Sequence, residues 1–263
     1  MKTETIRELR ERLQGPRRPY DTHYGRHVMR ACSIYLTVLF SKTPLGPAAV
    51  TFLSILVGLI GAFFIYRNHW LMGVFFVNGW YLLDHVDGEL ARYRGISSPT
   101  GFYFDTIGNS IVPFFMFLSI GAWLSNGFTE PYWFLVGVGS GYGSLMVLLL
   151  AYCENTVVFQ CLTQGKSNWL ARPAEFEKTA PAPASFLKKI FSAIHFFVTV
   201  PVFLPLLSAT AIVCSFFDES LLRASFKLLL AGYTILVSIV WTVTLIHRVL
   251  SRKLDKTVRA LSK

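Results

Sequence analysis

Charge is scarce in this chain. Only 15% of its 263 residues are Asp, Glu, Lys or Arg, against roughly 25% in an ordinary soluble domain, so too few charged side chains exist to clothe a soluble fold of this size. Acidic residues are the scarcer sign, 15 against 25 basic ones. Cysteine is rarer still. Cys32, Cys153, Cys161 and Cys214 form no C-x-x-C pair, which leaves an expectation of free thiols and no zinc site. The first 30 residues are too charged to hold the apolar core of a cleavable signal peptide. The apolar runs also lack the alternating polar pattern of an outer-membrane strand, which argues against a barrel.

What the chain has in quantity is apolar surface: 53% hydrophobic and 15% aromatic residues. A helix needs about 20 apolar residues to cross a hydrocarbon core, and such runs recur. Six are expected: Pro47 to Tyr66, Leu71 to Tyr93, Phe102 to Leu124, Tyr132 to Tyr152, Phe186 to Phe216 and Ala224 to Leu250. The expected fold is an all-α integral membrane protein with six transmembrane helices preceded by an amphipathic interfacial helix. A formal charge of +10 invites a nucleic-acid reading, but its distribution opposes one. Only Arg67, Arg223 and Lys227 lie at the side that follows the first, third and fifth spans; the other 22 of the 25 basic residues face the opposite way. The positive-inside rule then makes both termini cytoplasmic.

Three parts are expected: residues 1–46 as a cytoplasmic N-terminal segment, 47–250 as the six-span domain and 251–263 as a basic tail. Thr5 followed by Glu8 reads as a capping box, and Gly15-Pro16 as a stop, for a short helix over Thr5 to Gln14. From His23 to Phe40, Tyr24, Val28, Ala31, Cys32, Tyr35 and Leu39 share one helical face. Arg26, His27, Arg30 and Thr37 share the other, the pattern of an interfacial helix. The connection from Cys153 to Ser185 reads as a loop able to cover the cytoplasmic mouth. In the fourth span Gly137 with Gly141, and Gly139 with Gly143, offer small faces for close packing within or between subunits. Pro201 and Pro205 are expected to kink the fifth span.

Acidic residues gather at one hairpin. Asp84-His85-Val86-Asp87-Gly88-Glu89-Leu90-Ala91-Arg92 ends the second span, and Gly101-Phe102-Tyr103-Phe104-Asp105-Thr106-Ile107-Gly108-Asn109 opens the third. Residues three or four apart share a helical face, so Asp84 and Asp87 project together, while Gly101, Asp105 and Asn109 form a stripe able to oppose them. Each Asp costs roughly 2.5 to 3.5 kcal/mol at mid-membrane on insertion scales, and three of them ask for a cation. Arg92 and Arg94 are near in sequence, but their long side chains can reach solvent or phosphate instead. Hard carboxylate oxygens suit magnesium or manganese. Gly88, Ala91 and Gly101 leave room for a nucleotide.

The pattern D-x2-D-G-x2-A-R-x8-G-x3-D-x3-N over Asp84 to Asn109 resembles the signature of the CDP-alcohol phosphatidyltransferase family, which ends in a fourth Asp. The resemblance implies a membrane transferase of phospholipid synthesis. It would move a substituted phosphate from a CDP-alcohol, with CDP-diacylglycerol as the implied lipid donor, to an acceptor hydroxyl and release CMP. It implies that Asp84, Asp87, Asp105 and Asn109 hold two divalent cations, that Gly88, Ala91, Arg92 and Gly101 line the CDP pocket, and that the chain works as a homodimer. Asn109 stands where the family has its proposed base; an amide oxygen can bind a metal but cannot take that proton. Thr43-Pro44-Leu45-Gly46-Pro47-Ala48-Ala49-Val50-Thr51 is similar to the entry to the first span in inositol-phosphate-transferring members, with Ala48 for the usual Asn, and offers Thr51 as a nucleotide contact. Arg94, Lys188 and Lys189 are candidates for acceptor binding, with lipid-headgroup anchoring as the default for both lysines.

His195 and His247 sit alone in apolar spans and read as hydrogen-bonded core residues. His85 lies off the face shared by the aspartates. Two other functions stay open. A catalytically disabled member, natural or engineered, would bind metal and CDP-alcohol without turnover. A cation or proton transporter would also use intramembrane acids, but the fifth and sixth spans contain no Asp or Glu.

Overall fold

The computed structural model describes residues 4–15, 21–96, 99–163 and 194–251. Every element among them is helical: α1 (Ile6–Gln14), α2 (Arg30–Ser41) behind a π-helical turn at Gly25–Met29, α3 (Pro47–Tyr66), α4 (Trp70–Arg94), α5 (Pro99–Leu124), α6 (Pro131–Thr163), α7 (Val200–Cys214) and α8 (Glu219–Leu250). Four segments are long and apolar enough to cross a bilayer: Pro47–Tyr66, Thr100–Leu124, Pro131–Val158 and Glu219–Leu250. Helix α4 has sufficient length at 25 residues but carries the charged motif in its last turns, and α7 is a shorter apolar helix of 15 residues. Large apolar side chains such as Phe52, Phe63, Phe75, Leu135 and Leu228 point outward. A surface of that kind suits lipid and would be an aggregation hazard in water. The described residues are all helical in their regular structure, and the chain is a multi-pass membrane protein.

Local signals explain the helix ends. Thr5 caps α1 as a capping box: Glu8 N–H donates to Thr5 Oγ1 at 3.3 Å, and Thr5 N–H donates to Glu8 Oε2 at 2.7 Å. Pro47 opens α3, where its missing N–H has no partner to lose. Gly95 closes α4 with φ of 64°, the left-handed conformation that glycine adopts without strain.

The fifth expected span differs most from its sequence reading. Residues 186–193 lie outside the described ones, a helical turn covers 194–197, and the chain is extended at Thr199 (φ −73°, ψ 139°) before α7 begins. Pro201 therefore does not kink a continuous helix; it sits in the first turn of α7, and only Pro205 is inside. The ring of Pro201 would clash with the carbonyl four residues earlier in a continuous helix, so the break falls there. The segment around α2 also holds a surprise. Its apolar residues Val28, Tyr35 and Leu39 are exposed, whereas Arg30, Ser33 and Thr37 are buried. The polar side faces the protein because a buried carboxylate of α4 is waiting for it.

Helix α3 packs along α4 and α5, α5 along α6, and α6 along α8. Glycine sets the closest approaches. A Cβ on Gly61 would stand 2.8 Å from the backbone nitrogen of Val77, and one on Gly121 would stand 2.7 Å from Gly137 Cα. The two glycine pairs of α6 serve different neighbours within the chain: Gly137 and Gly141 meet α5 at Gly121 and Phe114, while Gly139 and Gly143 meet α8 at Thr234 and Val237. Deeper in the bundle the rings of Phe117, Phe203 and Tyr233 pack with centroids 4.4 to 4.8 Å apart, tying α5, α7 and α8 together. These contacts fix the α4–α5 hairpin from both sides.

Candidate active site

The hairpin brings the three aspartates together. Asp84 and Asp87, one helical turn apart on α4, face Asp105 in the second turn of α5, and one carboxylate oxygen from each lies within 4.8 Å of the others. Asp87 is buried, and the other two are half-buried. Three carboxylates this close repel one another unless a cation or proton intervenes. Neutral groups hold them in place. Thr51 Oγ1 on α3 donates to Asp87 Oδ2 at 2.6 Å. Asn109 Nδ2 donates to Asp84 Oδ1 at 3.2 Å and to Asp105 Oδ1 at 2.9 Å, so the amide bridges the two helices.

The donor set fits a hard divalent ion. Carboxylate oxygens, an amide oxygen available on rotation of Asn109 and room for water make up the coordination chemistry that magnesium and manganese prefer. A Cβ on Gly88 would stand 3.3 Å from a guanidinium nitrogen of Arg92. Gly101 and Ala91 are half-buried nearby along the same two helices. Arg92 Nε donates to the Leu13 carbonyl at 2.7 Å, which anchors the stem of this side chain beside the motif.

Other sequence candidates go elsewhere. Arg94 donates to the carbonyls of Phe40 (3.1 Å), Thr43 (2.7 Å) and Leu45 (2.6 Å), so its guanidinium clamps the exit of α2. Lys188 and Lys189 lie outside the described residues, as does most of the Cys153 to Ser185 connection. His85 bonds through Nδ1 to the Tyr81 carbonyl at 2.8 Å and stacks edge-on against that ring, away from the aspartates. His247 is exposed. Cys32, Cys153 and Cys214 are free thiols.

Two features escaped the sequence reading. His195 and Asn109 line one open cavity of about 320 Å³ together with Trp80, Tyr81, Trp241 and Arg248, the last ion-paired to Glu154 at 2.7 Å. No local motif joins residues so far apart in the chain. Glu89 is fully buried and bonded to both N-terminal helices. Its charge within a mostly apolar helix was the available signal, since a buried acid needs partners.

A multi-pass helical fold with an oxygen-rich hairpin able to hold a metal ion defines the class of protein. The chain matches the CDP-alcohol phosphatidyltransferase family over residues 45–218 and belongs to it. It is thus an enzyme by class, a CDP-alcohol phosphotransferase of phospholipid biosynthesis, and its aspartate cluster could hold a divalent cation. Among solved structures it is similar to the phosphatidylinositol phosphate synthase of Mycobacterium tuberculosis, determined with CDP-DAG bound. That likeness has a TM-score of 0.53 at 16% identity and covers 81% of this chain and 94% of the other, which shows a shared fold. No curated protein matches the sequence.

Proposed function

We propose that Asp84, Asp87, Asp105 and Asn109 hold two divalent cations, magnesium or manganese, against the diphosphate of CDP-diacylglycerol, whose phosphatidyl group passes to an acceptor hydroxyl with release of CMP. The carboxylate cluster across α4 and α5 carries this reading. Bound ions would neutralise the diphosphate oxygens and stabilise charge developing on the leaving CMP. The chain supplies position: Thr51 fixes the Asp87 carboxylate, Asn109 spans Asp84 and Asp105, and Gly88, Ala91, Arg92 and Gly101 border the space for CDP. CDP-diacylglycerol is supported as donor by the CDP-DAG held in the similar synthase.

Helices α3 to α8 are read as six spans, with α4 and α7 as the second and fifth. An even number returns the chain to its starting side, and the basic residues assign that side to the cytoplasm. The hairpin acids then open cytoplasmically, with the exposed apolar edge of α2 lying in the membrane interface. Residues 1–46, 47–250 and 251–263 keep their separate descriptions as N-terminal segment, transferase domain and tail. A homodimer would need surfaces other than the α6 glycines, which pack inside the chain.

One observation favours a second reading. Asn109 offers no carboxylate to take the acceptor proton, so a chain that binds donor and metal without transfer fits the same geometry. The two are separated by CMP release from a panel of CDP-alcohols and acceptors with magnesium or manganese, measured for the chain and for Asn109→Asp. Turnover in both establishes an active transferase with another proton acceptor; turnover only in Asn109→Asp, gained by on the order of 10² to 10⁴-fold, establishes the disabled form. Correctly folded protein that neither binds a CDP-alcohol nor releases CMP in either form would remove the assignment.

A further inference from the structure

A carboxylate taken out of water needs its lone pairs met by donors. Glu89 is 0% exposed and meets that demand from one direction. Its Oε1 accepts from Gln14 Nε2 at 3.0 Å and Ser33 Oγ at 2.6 Å, and its Oε2 accepts from Thr37 Oγ1 at 2.8 Å. Arg30 Nη1 lies 3.5 Å from Oε1, and the same guanidinium grips Asp21 through Nε at 2.5 Å and Nη2 at 2.8 Å. Gln14, Asp21, Arg30, Ser33 and Thr37 all precede residue 45, where the family match begins. A residue inside the motif is therefore satisfied by a segment outside the match.

At about 100° per residue, Glu89 projects about 140° from Asp84 and about 160° from Asp87 around the α4 axis. It holds the back of the helix whose front carries the aspartates. We infer that Glu89 is a positioning residue: its bonds to α1 and α2 fix the rotation of α4 and so aim Asp84 and Asp87 at Asp105. The inference rests on the reading of those aspartates as ion ligands. A roll of about 10° moves a group about 6 Å from a helix axis by about 1 Å, and a misplacement of that size costs on the order of 100-fold where geometry matters. The carboxylate accepts from all of these neighbours at once, whereas an amide at this position would oblige the Ser33 or Thr37 hydroxyl to turn from donor to acceptor.

The test uses the full chain in nanodiscs, with CDP-diacylglycerol binding titrated against Mn²⁺ and thermal unfolding recorded separately. Glu89→Gln is expected to raise the Mn²⁺ concentration for half-maximal binding by about 10-fold or more, a part of the roughly 100-fold that a misplacement of about 1 Å costs. Thr37→Val and Ser33→Ala, which each withdraw one donor, are expected to raise it about 3-fold, a smaller share of the same misplacement cost. A purely structural role would lower the unfolding temperature and leave the Mn²⁺ requirement of the folded protein unchanged, and that result overturns the inference. Should Glu89→Gln not fold, the two milder variants decide by the same criterion. If the unsubstituted chain shows no Mn²⁺-dependent donor binding, the reading of the aspartates falls together with the role of Glu89. Normal binding that none of the three variants shifts removes Glu89 alone.

Discussion

Two regions of the bundle treat acidic side chains in opposite ways. At the end opposite the hairpin, Glu130 pairs with Lys227 at 2.7 Å and Glu219 with Arg223 at 2.9 Å, while Asp218 accepts from the Ser220 hydroxyl. Arg223 also lies over the Trp123 ring, 4.6 Å from its centroid. At the hairpin end, Asp84, Asp87 and Asp105 crowd within 4.8 Å, joined by a hydroxyl and an amide. Exposed ion pairs contribute little beyond local order, whereas gathered carboxylates keep oxygen atoms ready for a ligand. The first arrangement serves topology; the second serves chemistry.

The largest effect should come from the crowded end. Asp105→Ala is expected to weaken Mn²⁺-dependent CDP-alcohol binding on the order of 100-fold or more, beyond what loss of an outer partner causes, while detergent-solubilised protein stays folded. Binding with the parent affinity and the parent Mn²⁺ requirement would show that Asp105 is not a ligand. The helix contacts that hold the hairpin come next. Gly137→Ala places a Cβ 2.8 Å from Gly121 Cα and should cost about 1 to 3 kcal/mol by overpacking, visible as a lower unfolding temperature.

Arg94 gives a smaller, more discriminating effect. Arg94→Met leaves the carbonyls of Phe40, Thr43 and Leu45 without their shared donor, at about 1 to 3 kcal/mol of stability. The apparent affinity for the acceptor should not change; a selective rise in acceptor KM with unchanged stability would return Arg94 to the acceptor site.

The smallest effect belongs to the paired end and depends on pH. The hydrogen bond from Lys227, helped by Tyr132, pulls the Glu130 carboxyl from its ordinary 4.5 down to about 2. A carboxylate lowered on folding stabilises the native state above its ordinary value and loses that contribution as pH falls through the lowered one. The difference in unfolding temperature between the parent and Glu130→Gln should therefore be full at pH 7 and shrink as pH falls from about 4.5 toward 2. A difference that stays constant across that window would mean the pair does not contribute.

Much of this contrast was legible in the sequence, for physical reasons. Pro47, Gly95 and the Thr5–Glu8 box are local signals and mark helix ends directly. The spacing of Asp84, Asp87 and Asp105 set two stripes on a hairpin whose short connection leaves the helices little choice but to face each other. Amphipathicity alone did not say which face of α2 turns inward. In a bilayer the apolar side can face lipid and the polar side the protein, and here Ser33 and Thr37 turn to Glu89. Pro201 broke a helix instead of bending it, because nothing in the local pattern reveals whether packing supports the turn before a proline. Arg94 was a candidate for acceptor binding, and its three carbonyl partners come from the end of α2 and the loop after it, about 50 residues earlier in the chain.

The central claim is that the three aspartates hold divalent metal through which a CDP-alcohol is bound. Calorimetric titration of the nanodisc-embedded chain with CDP-diacylglycerol tests it, first with Mn²⁺, then with EDTA, then with Mn²⁺ restored. Saturable binding that vanishes with EDTA and returns with the metal is the predicted result. Equal affinity in all three conditions would contradict it.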